Sequence, residues 1–165
     1  MARGQSGFTL SPVSLIEFPT NSALVLPSPN GATLSLLSSK AIVMTGCLRN
    51  AASVAKMAMK LGKKIAIIAA GERWPNDTLR VAYEDLVGAG AIIYEINGTK
   101  SVESNFALLA FKNSLENKFI DLVNCATSIE LSKYGYAGDV KIALQYNVSN
   151  VTPVLKEQYF QNLQY

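Results

Sequence analysis

Three short apolar runs stand out in the pattern of hydrophobic and polar positions, and a turn and a helix-like segment follow each. The runs cover residues 23–26, 41–45 and 64–70. Short apolar runs bounded by turn residues are typical of buried strands, and continuous apolar character is typical of strands covered on both faces. Three strand–turn–helix units in succession predict an α/β fold, namely a three-layer α/β/α domain with a largely parallel or mixed sheet.

Helical spacing of apolar positions, together with capping residues, predicts the helices. They cover residues 32–38, 51–61, 77–87, 102–117 and 119–132. Asn30, Asn50 and Asp77 stand where side-chain caps are expected at the starts of the first three. Residues 139–144 fit a helix or a strand. The run 151–155 contains a proline, which favours an edge strand over a central one.

Composition limits the class of protein. The chain has 165 residues, of which 49% are hydrophobic, and this predicts one domain over residues 1–165. The net charge is only +3 and no Lys/Arg run exceeds two residues, so a nucleic-acid partner is not expected. No stretch approaches the ~20 apolar residues of a membrane span. The two distant cysteines, Cys47 and Cys125, are expected to be free thiols in the cytoplasm.

The sequence contains no histidine. Ser-His-Asp and Cys-His catalysis within this chain, and zinc sites with histidine ligands, are therefore excluded. Any catalysis must use carboxylates, hydroxyls, Lys or Arg side chains, backbone amides or a bound metal ion.

Charged residues gather after the third apolar run, in a chain that is only 16% charged. They are Glu72, Arg73, Arg80, Glu84 and Asp85. Carboxylates bind hard cations through oxygen, and guanidinium groups bind phosphate in a bidentate fork. The block therefore suits a site for a metal ion and a phosphorylated anion. An ordinary surface ion pair between Arg80 and Glu84, four residues apart on one helix, explains part of it equally well.

Turns follow all three predicted strands, and the carboxyl ends of such strands should share one edge of the sheet, where ligands bind in open α/β folds. Two of the turns lead into helix N-termini, which favour anions. Asn30, Gly31 and Asn50 suit an anion cradle, and Arg49 and Arg73 supply positive charge. The two asparagines are explained equally well as helix caps. The Gly-Ala-Gly at 88–90 follows a helix, so it is not a dinucleotide-binding fingerprint.

Several segments of the chain, occurring in the same order, resemble the 2-phosphosulfolactate phosphatases. They are G-F-T-L-S-P-V-S-L at 7–15, P-S-P-N-G-A at 27–32, T-G-C-L-R-N-A at 45–51, A-A-G-E-R-W at 69–74 and L-R-V-A-Y-E-D-L-V-G-A-G-A-I-I at 79–93, with Gly135-Tyr136 and Asp139-Val140 in the late segment. No single motif is diagnostic, but the ordered set is specific and runs along nearly the whole chain.

The resemblance implies an α/β/α fold and a magnesium-dependent phosphoric monoester hydrolase that converts 2-phosphosulfolactate, or a similar small phosphorylated acid, to sulfolactate and phosphate. In some organisms this step belongs to coenzyme M synthesis. Glu72, Glu84 and Asp85 become the candidates for catalysis and for Mg²⁺ binding. The candidates for substrate binding are Asn30, Gly31, Arg49, Asn50 and Arg73.

Family members carry an N-terminal segment with an Asp-Val-Leu-Arg-Ala motif that has no counterpart here. We therefore expect the domain to lack an N-terminal portion and the chain to be a poor phosphatase by itself. An unpaired sheet edge would favour a homodimer. The alternative function is a non-catalytic module of the same family that binds a small anion. A nucleotide-binding domain is disfavoured, because no Gly-rich phosphate loop follows the first strand.

Overall fold

Helices make up most of the fold, together with two small antiparallel strand pairs. The computed structural model describes residues 7–26, 29–37 and 41–163. The helices are α1 (Pro29–Leu36), α2 (Ala51–Leu61), α3 (Tyr83–Glu95), α4 (Val102–Glu116), α5 (Ile120–Val123), α6 (Ala126–Lys133) and α7 (Ala137–Ala143), with single 3-10 turns at Pro12–Leu15 and Leu48–Asn50. Strand β1 (Glu72–Arg73) pairs with β2 (Leu79–Arg80), and β3 (Pro153–Lys156) pairs with β4 (Tyr159–Asn162).

The core lies where α3 packs between α2 and α4. Its buried members are Leu48, Ala51, Val54, Ala55, Val87, Ala91, Ile92, Phe111 and Leu122. Gly90 of α3 lies so close to α4 that an added Cβ would stand 2.1 Å from the carbonyl oxygen of Ala107. The absence of a side chain at Gly90 therefore sets the distance between these two helices. Phe111 fills the centre and contacts the ring of Tyr146, with the two centroids 5.3 Å apart.

The helix predicted over residues 51–61 is confirmed at both ends, but its cap is not the predicted one. Asn50 makes no side-chain capping bond to α2. The Asn147 side chain accepts the hydrogen bond from the Ala52 N–H instead, at 2.8 Å. Asn50 accepts from the Cys47 N–H at 2.8 Å and donates to the carbonyl oxygen of Val151 at 2.9 Å. A residue distant in sequence therefore replaces the local cap.

The helix predicted over residues 77–87 is displaced, because α3 begins only at Tyr83. The residues before it form the β1–β2 hairpin, in which Glu72 pairs with Arg80. Asp77 lies in the hairpin turn with a φ of +64°, so it caps no helix. Leu79, which would lie on the apolar face of the predicted helix, is largely exposed. The strand pairing outweighs the local helical pattern here.

The remaining helices follow the predictions with shifted ends. The helix predicted over 102–117 is α4, and the one predicted over 119–132 is divided into α5 and α6. Residues 139–144, left open between helix and strand, lie mainly in α7. Helix α1 begins before residue 32, so Asn30 lies inside its first turn rather than at the cap. Residue 38, the predicted end of that helix, falls outside the described residues.

The predicted strands over 23–26 and 64–70 do not form, and the predicted strand over 41–45 is reduced to one antiparallel bridge between Met44 and Val154. A strand requires a neighbouring chain segment for its main-chain hydrogen bonds. The described residues supply no such neighbour to 23–26 or to 64–70. The three-layer arrangement with a parallel sheet is therefore not seen in the described part of the chain, which instead combines helices with antiparallel strand pairs.

The strand predicted over 151–155 forms as β3, but the edge position predicted for it is wrong, because β3 has main-chain partners on both sides. It pairs with β4 on one side, and on the other the N–H of Leu155 donates to the carbonyl oxygen of Val43 at 2.8 Å.

None of the helices in the described ranges combines the length and apolar character that a membrane crossing needs.

Candidate functional site

Gly71 brings the first turn of α3 next to the start of the β1–β2 hairpin. Its backbone N–H donates a hydrogen bond to Oδ2 of Asp85 at 2.8 Å. Gly71 has a φ of +70°, in the left-handed region that favours glycine, and an added Cβ would stand 3.1 Å from a methyl carbon of Leu79. The sequence places this glycine at the end of an apolar run and directly before Glu72. The backbone at Gly71 thereby holds Asp85 close to β1.

Asn30 completes the arrangement from α1. Its side-chain amide donates to Oε1 of Glu72 at 3.1 Å and to the carbonyl oxygen of Gly71 at 3.4 Å. Asn30 and Glu72 are 42 positions apart in sequence, and both are half-buried. Three of the residues predicted from sequence for the site, Asn30, Glu72 and Asp85, therefore lie together around one glycine. We call this arrangement the Gly71 cluster.

Electrostatics at the Gly71 cluster raise the pKa of Asp85. Partial burial raises the pKa of the Asp85 carboxyl above its ordinary value, and the negative charges of Glu84 and Glu72 raise it further. The hydrogen bond from the Gly71 N–H acts in the opposite direction and is outweighed. Carboxylates that share one small region and lack a nearby counter-charge attract a proton or a cation.

Glu84, the third predicted carboxylate, lies toward a different partner. Its Oε2 is 3.8 Å from the sulfur of Cys125, just before α6. The influence of Glu84 on Asp85 is that its negative charge raises the pKa of the Asp85 carboxyl. Within the described ranges, no group of three or more His, Cys, Asp or Glu side chains is close enough to hold a metal ion by itself. Glu72 and Asp85 are the two carboxylates that flank Gly71.

Arg49 and Asn50 are held by the C-terminal part of the chain. The Nη1 group of Arg49 donates to the carbonyl oxygen of Ile142 at 3.1 Å and also to Oε1 of Gln145, beside the end of α7. Asn50 is almost fully buried, and its side chain bonds only to main-chain groups of residues 47 and 151 and to the Cys47 thiol. The contacts of Asn50 are those of a structural residue, and they do not connect it to the Gly71 cluster.

Arg73, the other predicted anion-binding residue, contacts its own hairpin. Its Nη1 donates to the carbonyl oxygen of Asp77 at 2.8 Å and lies 3.3 Å from the Asp77 carboxylate. Both side chains are largely exposed. Gly31 lies beside Asn30 in the first turn of α1, and its carbonyl oxygen accepts from the Ser35 hydroxyl at 2.7 Å.

The surface ion pair considered for Arg80 and Glu84 does not form. Arg80 belongs to β2 and Glu84 to α3, so the two do not share a helix face. The guanidinium of Arg80 lies over the Trp74 ring instead, 5.6 Å from its centroid, in a cation–π contact. This leaves the negative charge of Glu84 beside Asp85 without Arg80 as a partner.

Two polar networks outside the cluster were not predicted from sequence. Asp121 accepts hydrogen bonds from the hydroxyls of Tyr83 and Ser114, at 2.6 and 2.5 Å, and so joins α3, α4 and α5. Asp139 of α7 accepts from the Ser11 hydroxyl at 2.7 Å and from the Val13 N–H at 3.1 Å. The only sequence signal for either network is an acid next to buried apolar positions, which is too common to identify a partner.

A family model for 2-phosphosulpholactate phosphatase matches residues 5–158. The match includes every residue of the Gly71 cluster and both networks around Asp121 and Asp139. It thus extends over more than nine-tenths of the chain.

Two curated relatives show the same likeness. A protein of Pseudothermotoga lettingae is 26% identical over 151 residues, which is 89% of this chain and 64% of the relative. A protein of Caldanaerobacter subterraneus subsp. tengcongensis is 27% identical over 158 residues, which is 91% of this chain and 64% of the relative. Each carries the name "Probable 2-phosphosulfolactate phosphatase". The chain spans less than two thirds of the length of either relative, and it belongs to the 2-phosphosulpholactate phosphatase family.

Proposed function

We propose that this chain carries the ligand site of a phosphoric monoester hydrolase that acts on 2-phosphosulfolactate or a similar small phosphorylated acid. Membership of the family and the names of the two relatives support the reaction class. The observation that carries the proposal is the Gly71 cluster, in which Asn30, Glu72 and Asp85 converge from three separate elements. An amide donor beside two carboxylates can bind both an anion and a hard cation.

The proposed metal ion is Mg²⁺, held by Glu72 and Asp85. Mg²⁺ in phosphoryl-transfer sites is usually bound by one or two carboxylates, with water and substrate phosphate oxygens completing its shell. Two flanking carboxylates fit this pattern, although they would not suffice for a site made of protein ligands alone. When bound, the ion neutralises charge on the phosphoryl group and lowers the pKa of water. Glu84 adds negative charge that favours the cation.

Asp85 is proposed to act as the second ligand of the ion or, where Glu72 and the substrate hold the ion, as the proton acceptor. Its pKa is raised by partial burial and by neighbouring negative charge, so this carboxylate binds a proton more readily than an exposed aspartate does. The Gly71 N–H holds one carboxylate oxygen, which leaves the other to orient water. Asn30 is the proposed donor to the phosphate, for which its amide would give up the longer of its two hydrogen bonds, the 3.4 Å bond to the Gly71 carbonyl oxygen.

Positive charge for the substrate is proposed to come from Arg49 and Arg73. Arg73 is exposed and paired only within its own hairpin, so its guanidinium can turn toward an anion without uncovering the core. Arg49 is half-buried and uses Nη1 for α7, and a guanidinium has further N–H donors. Gly31 and Asn50 stay predicted substrate contacts, although the buried main-chain bonds of Asn50 favour a structural role.

The test is phosphate release from 2-phosphosulfolactate with and without Mg²⁺. We expect Asp85→Asn and Glu72→Gln to lower the magnesium-dependent rate at least about tenfold, as expected for loss of a general base or a metal ligand. Glu103→Gln, a change of an exposed acid on α4, is the matched control and should leave the rate unchanged. The Pseudothermotoga lettingae relative serves as the reference for full activity. Equal rates for Asp85→Asn and the unchanged chain would reject the proposed site.

The alternative is a module that binds a small anion without turning it over. Several predicted contacts are already used internally, Arg49 by α7 and Asn50 by the main chain, and this favours the alternative over full catalysis. Calorimetric titration with 2-phosphosulfolactate distinguishes the two. Binding that is lost in Asn30→Ala, without phosphate release, supports the module. Absence of binding in the presence of Mg²⁺ would reject both functions.

Two broader expectations accompany the proposed function. We propose that residues 64–70 join a sheet in a three-layer α/β/α arrangement, since this run is apolar and has no strand partner in the described residues. An experimental structure with the run outside any sheet would reject this.

A cytoplasmic location is supported by two unpaired cysteines, of which Cys47 is exposed. Detection of the protein mainly in a secreted fraction would contradict it.

A further inference from the structure

The first turn of α3 begins without a side-chain cap. Ala82 stands at the N-cap position, and an alanine side chain cannot accept a hydrogen bond. Helix ends without a capping partner leave main-chain N–H groups unpaired and fray. Asp85 belongs to this first turn, so its place beside Gly71 depends on other contacts that hold the turn.

Tyr83, the first residue of α3, ties this turn to two other helices. Its hydroxyl donates to Oδ2 of Asp121 in α5 at 2.6 Å and lies 3.1 Å from the hydroxyl of Ser114 in α4. Ser114 is fully buried, and the Tyr83 ring packs against the core. Residues two positions apart in a helix point about 200° apart around its axis. Tyr83 and Asp85 therefore hold the first turn from opposite sides.

The close contact at Gly90 gives Tyr83 a firm support. Gly90 and Ala107 approach so closely that no side chain fits between them. Tyr83 lies seven positions before Gly90, and Ser114 lies seven positions after Ala107. Seven residues make about two helical turns, so the faces that meet at Gly90 meet again at Tyr83. The tightest part of the interface between α3 and α4 therefore continues to the Tyr83 hydroxyl.

We propose that Tyr83 is a positioning residue for the Gly71 cluster, and that its hydroxyl, held by Asp121 and Ser114, keeps the Asp85 carboxylate at the Gly71 N–H. Tyr83 acts through Asp85 and touches neither the metal ion nor the substrate. Its effect on the reaction rests on the proposed function, whereas its effect on the place of Asp85 does not.

Glu84, between Tyr83 and Asp85, does not provide an equivalent anchor. It contacts the Cys125 thiol at 3.8 Å, and a thiol is a weak hydrogen-bond donor. The three consecutive residues of the turn thus contact three different parts of the fold, and the shortest bond among them is the one that Tyr83 makes.

Amide hydrogen exchange, followed by NMR, tests the positioning directly. Tyr83→Phe removes the hydroxyl and keeps the ring. We expect exchange of the Gly71 N–H to become at least about tenfold faster relative to that of Val87, in the buried part of α3. Tyr146→Phe is the matched control, because the Tyr146 hydroxyl donates to Glu95, the last residue of the same helix, at 2.6 Å. This control should change the ratio less than about twofold.

Two results of this measurement overturn the proposal. One is an unchanged ratio in Tyr83→Phe, which would mean that Asp85 keeps its place without the hydroxyl. The other is an equal rise in Tyr146→Phe, which would show that α3 loosens after the loss of any anchor.

Phosphate release from 2-phosphosulfolactate with Mg²⁺ tests the consequence for the reaction. We expect Tyr83→Phe to lower kcat about tenfold, because a displaced catalytic group costs rate even when the change lies outside the site. Tyr146→Phe should keep the rate. Added to Asp85→Asn, Tyr83→Phe should cause no further loss, since it acts through Asp85. A further loss in the double variant overturns the proposal. Absence of release by the unchanged chain contradicts the proposed function alone, and exchange at Gly71 then decides the role of Tyr83.

Discussion

The backbone N–H of Gly71 donates to the carboxylate of Asp85 at 2.8 Å, and this single bond joins the end of an apolar run to the first turn of α3. Asp85 has a raised pKa because of partial burial and the nearby charges of Glu84 and Glu72. A raised pKa means that the folded state binds a proton at Asp85 more readily than the unfolded state does. The contribution of Asp85 to stability is therefore largest below its unfolded pKa and is lost as pH rises through the folded value.

Replacement of Asp85 by asparagine should remove this pH dependence. Asparagine keeps an oxygen acceptor for the Gly71 N–H and carries no charge. We expect Asp85→Asn to be more stable than the unchanged chain at about pH 7, with the difference disappearing toward about pH 3. Urea unfolding at several pH values measures this. A variant that is less stable at every pH would show that the Gly71 N–H requires a charged acceptor.

Gly90→Ala should destabilise the fold strongly. The new Cβ would stand 2.1 Å from the Ala107 carbonyl oxygen and 2.8 Å from the Cβ of Phe111, so α3 and α4 must separate. We expect a loss of about 3 kcal/mol in the free energy of unfolding. Gly88→Ala is the matched control in the same helix, since nothing lies within 4 Å of its Cβ position. That variant should gain about 0.5–1 kcal/mol, because alanine loses less entropy than glycine in a helix.

Asn50 and Asn30 should respond differently to alanine. Asn50→Ala leaves the Cys47 N–H and the Val151 carbonyl oxygen without their partner, and we expect a loss of about 2–3 kcal/mol in the free energy of unfolding. Asn30→Ala removes contacts in a half-buried position and should cost under about 1 kcal/mol. Chemical denaturation of the two variants measures the difference. A larger loss for Asn30→Ala would make Asn30, and not Asn50, the structural residue.

Ser114→Ala should make the protein more sensitive to acid. Burial raises the pKa of the Asp121 carboxyl, but the hydrogen bonds from Ser114 and Tyr83 outweigh this and hold the pKa below its ordinary value. The contribution of Asp121 to the free energy of unfolding is therefore present above its pKa in the unfolded chain. It is lost as the pH falls through its pKa in the folded protein. Ser114 is fully buried, and its removal should cost about 1–2 kcal/mol.

The acid unfolding midpoint, followed by circular dichroism, should then rise in Ser114→Ala. Ser132→Ala, on an exposed position of α6, is the control and should leave the midpoint unchanged. An unchanged midpoint in both variants would mean that Tyr83 alone holds the ionised form of Asp121.

Local signals predicted the helices well and the strands poorly. The bounds of α2 follow from a run of helix-forming residues that ends at Gly62. The start of α3 was predicted six positions too early, because the apolar positions of 77–87 have helical spacing, whereas residues 79–80 pair with β1. Strand formation depends on a partner elsewhere in the chain, and a sequence pattern cannot supply that information. The run 64–70 shows this most clearly.

Only part of the candidate site could be predicted from the sequence, and the reason is similar. The proximity of Asn30, Glu72 and Asp85 was expected from strand ends that share one sheet edge, yet it arises from a helix, a hairpin and a second helix that meet at Gly71. Arg49 and Asn50 have the residue types of an anion site, but they bond to the C-terminal segment. Residue type indicates which chemistry a side chain can perform, and only the fold determines its neighbours.

The close packing of α3 and α4 around Gly90 also has a consequence for the order of folding. These helices are neighbours in sequence, and contacts between sequence neighbours form quickly because little loop entropy is lost. The Gly71 cluster joins Asn30 to Glu72 across 42 positions, so it closes a much longer loop. We therefore expect the helical pair to assemble early and the cluster to form late. Mutations that destabilise only the Gly71 cluster should then leave the helical content of the protein unchanged.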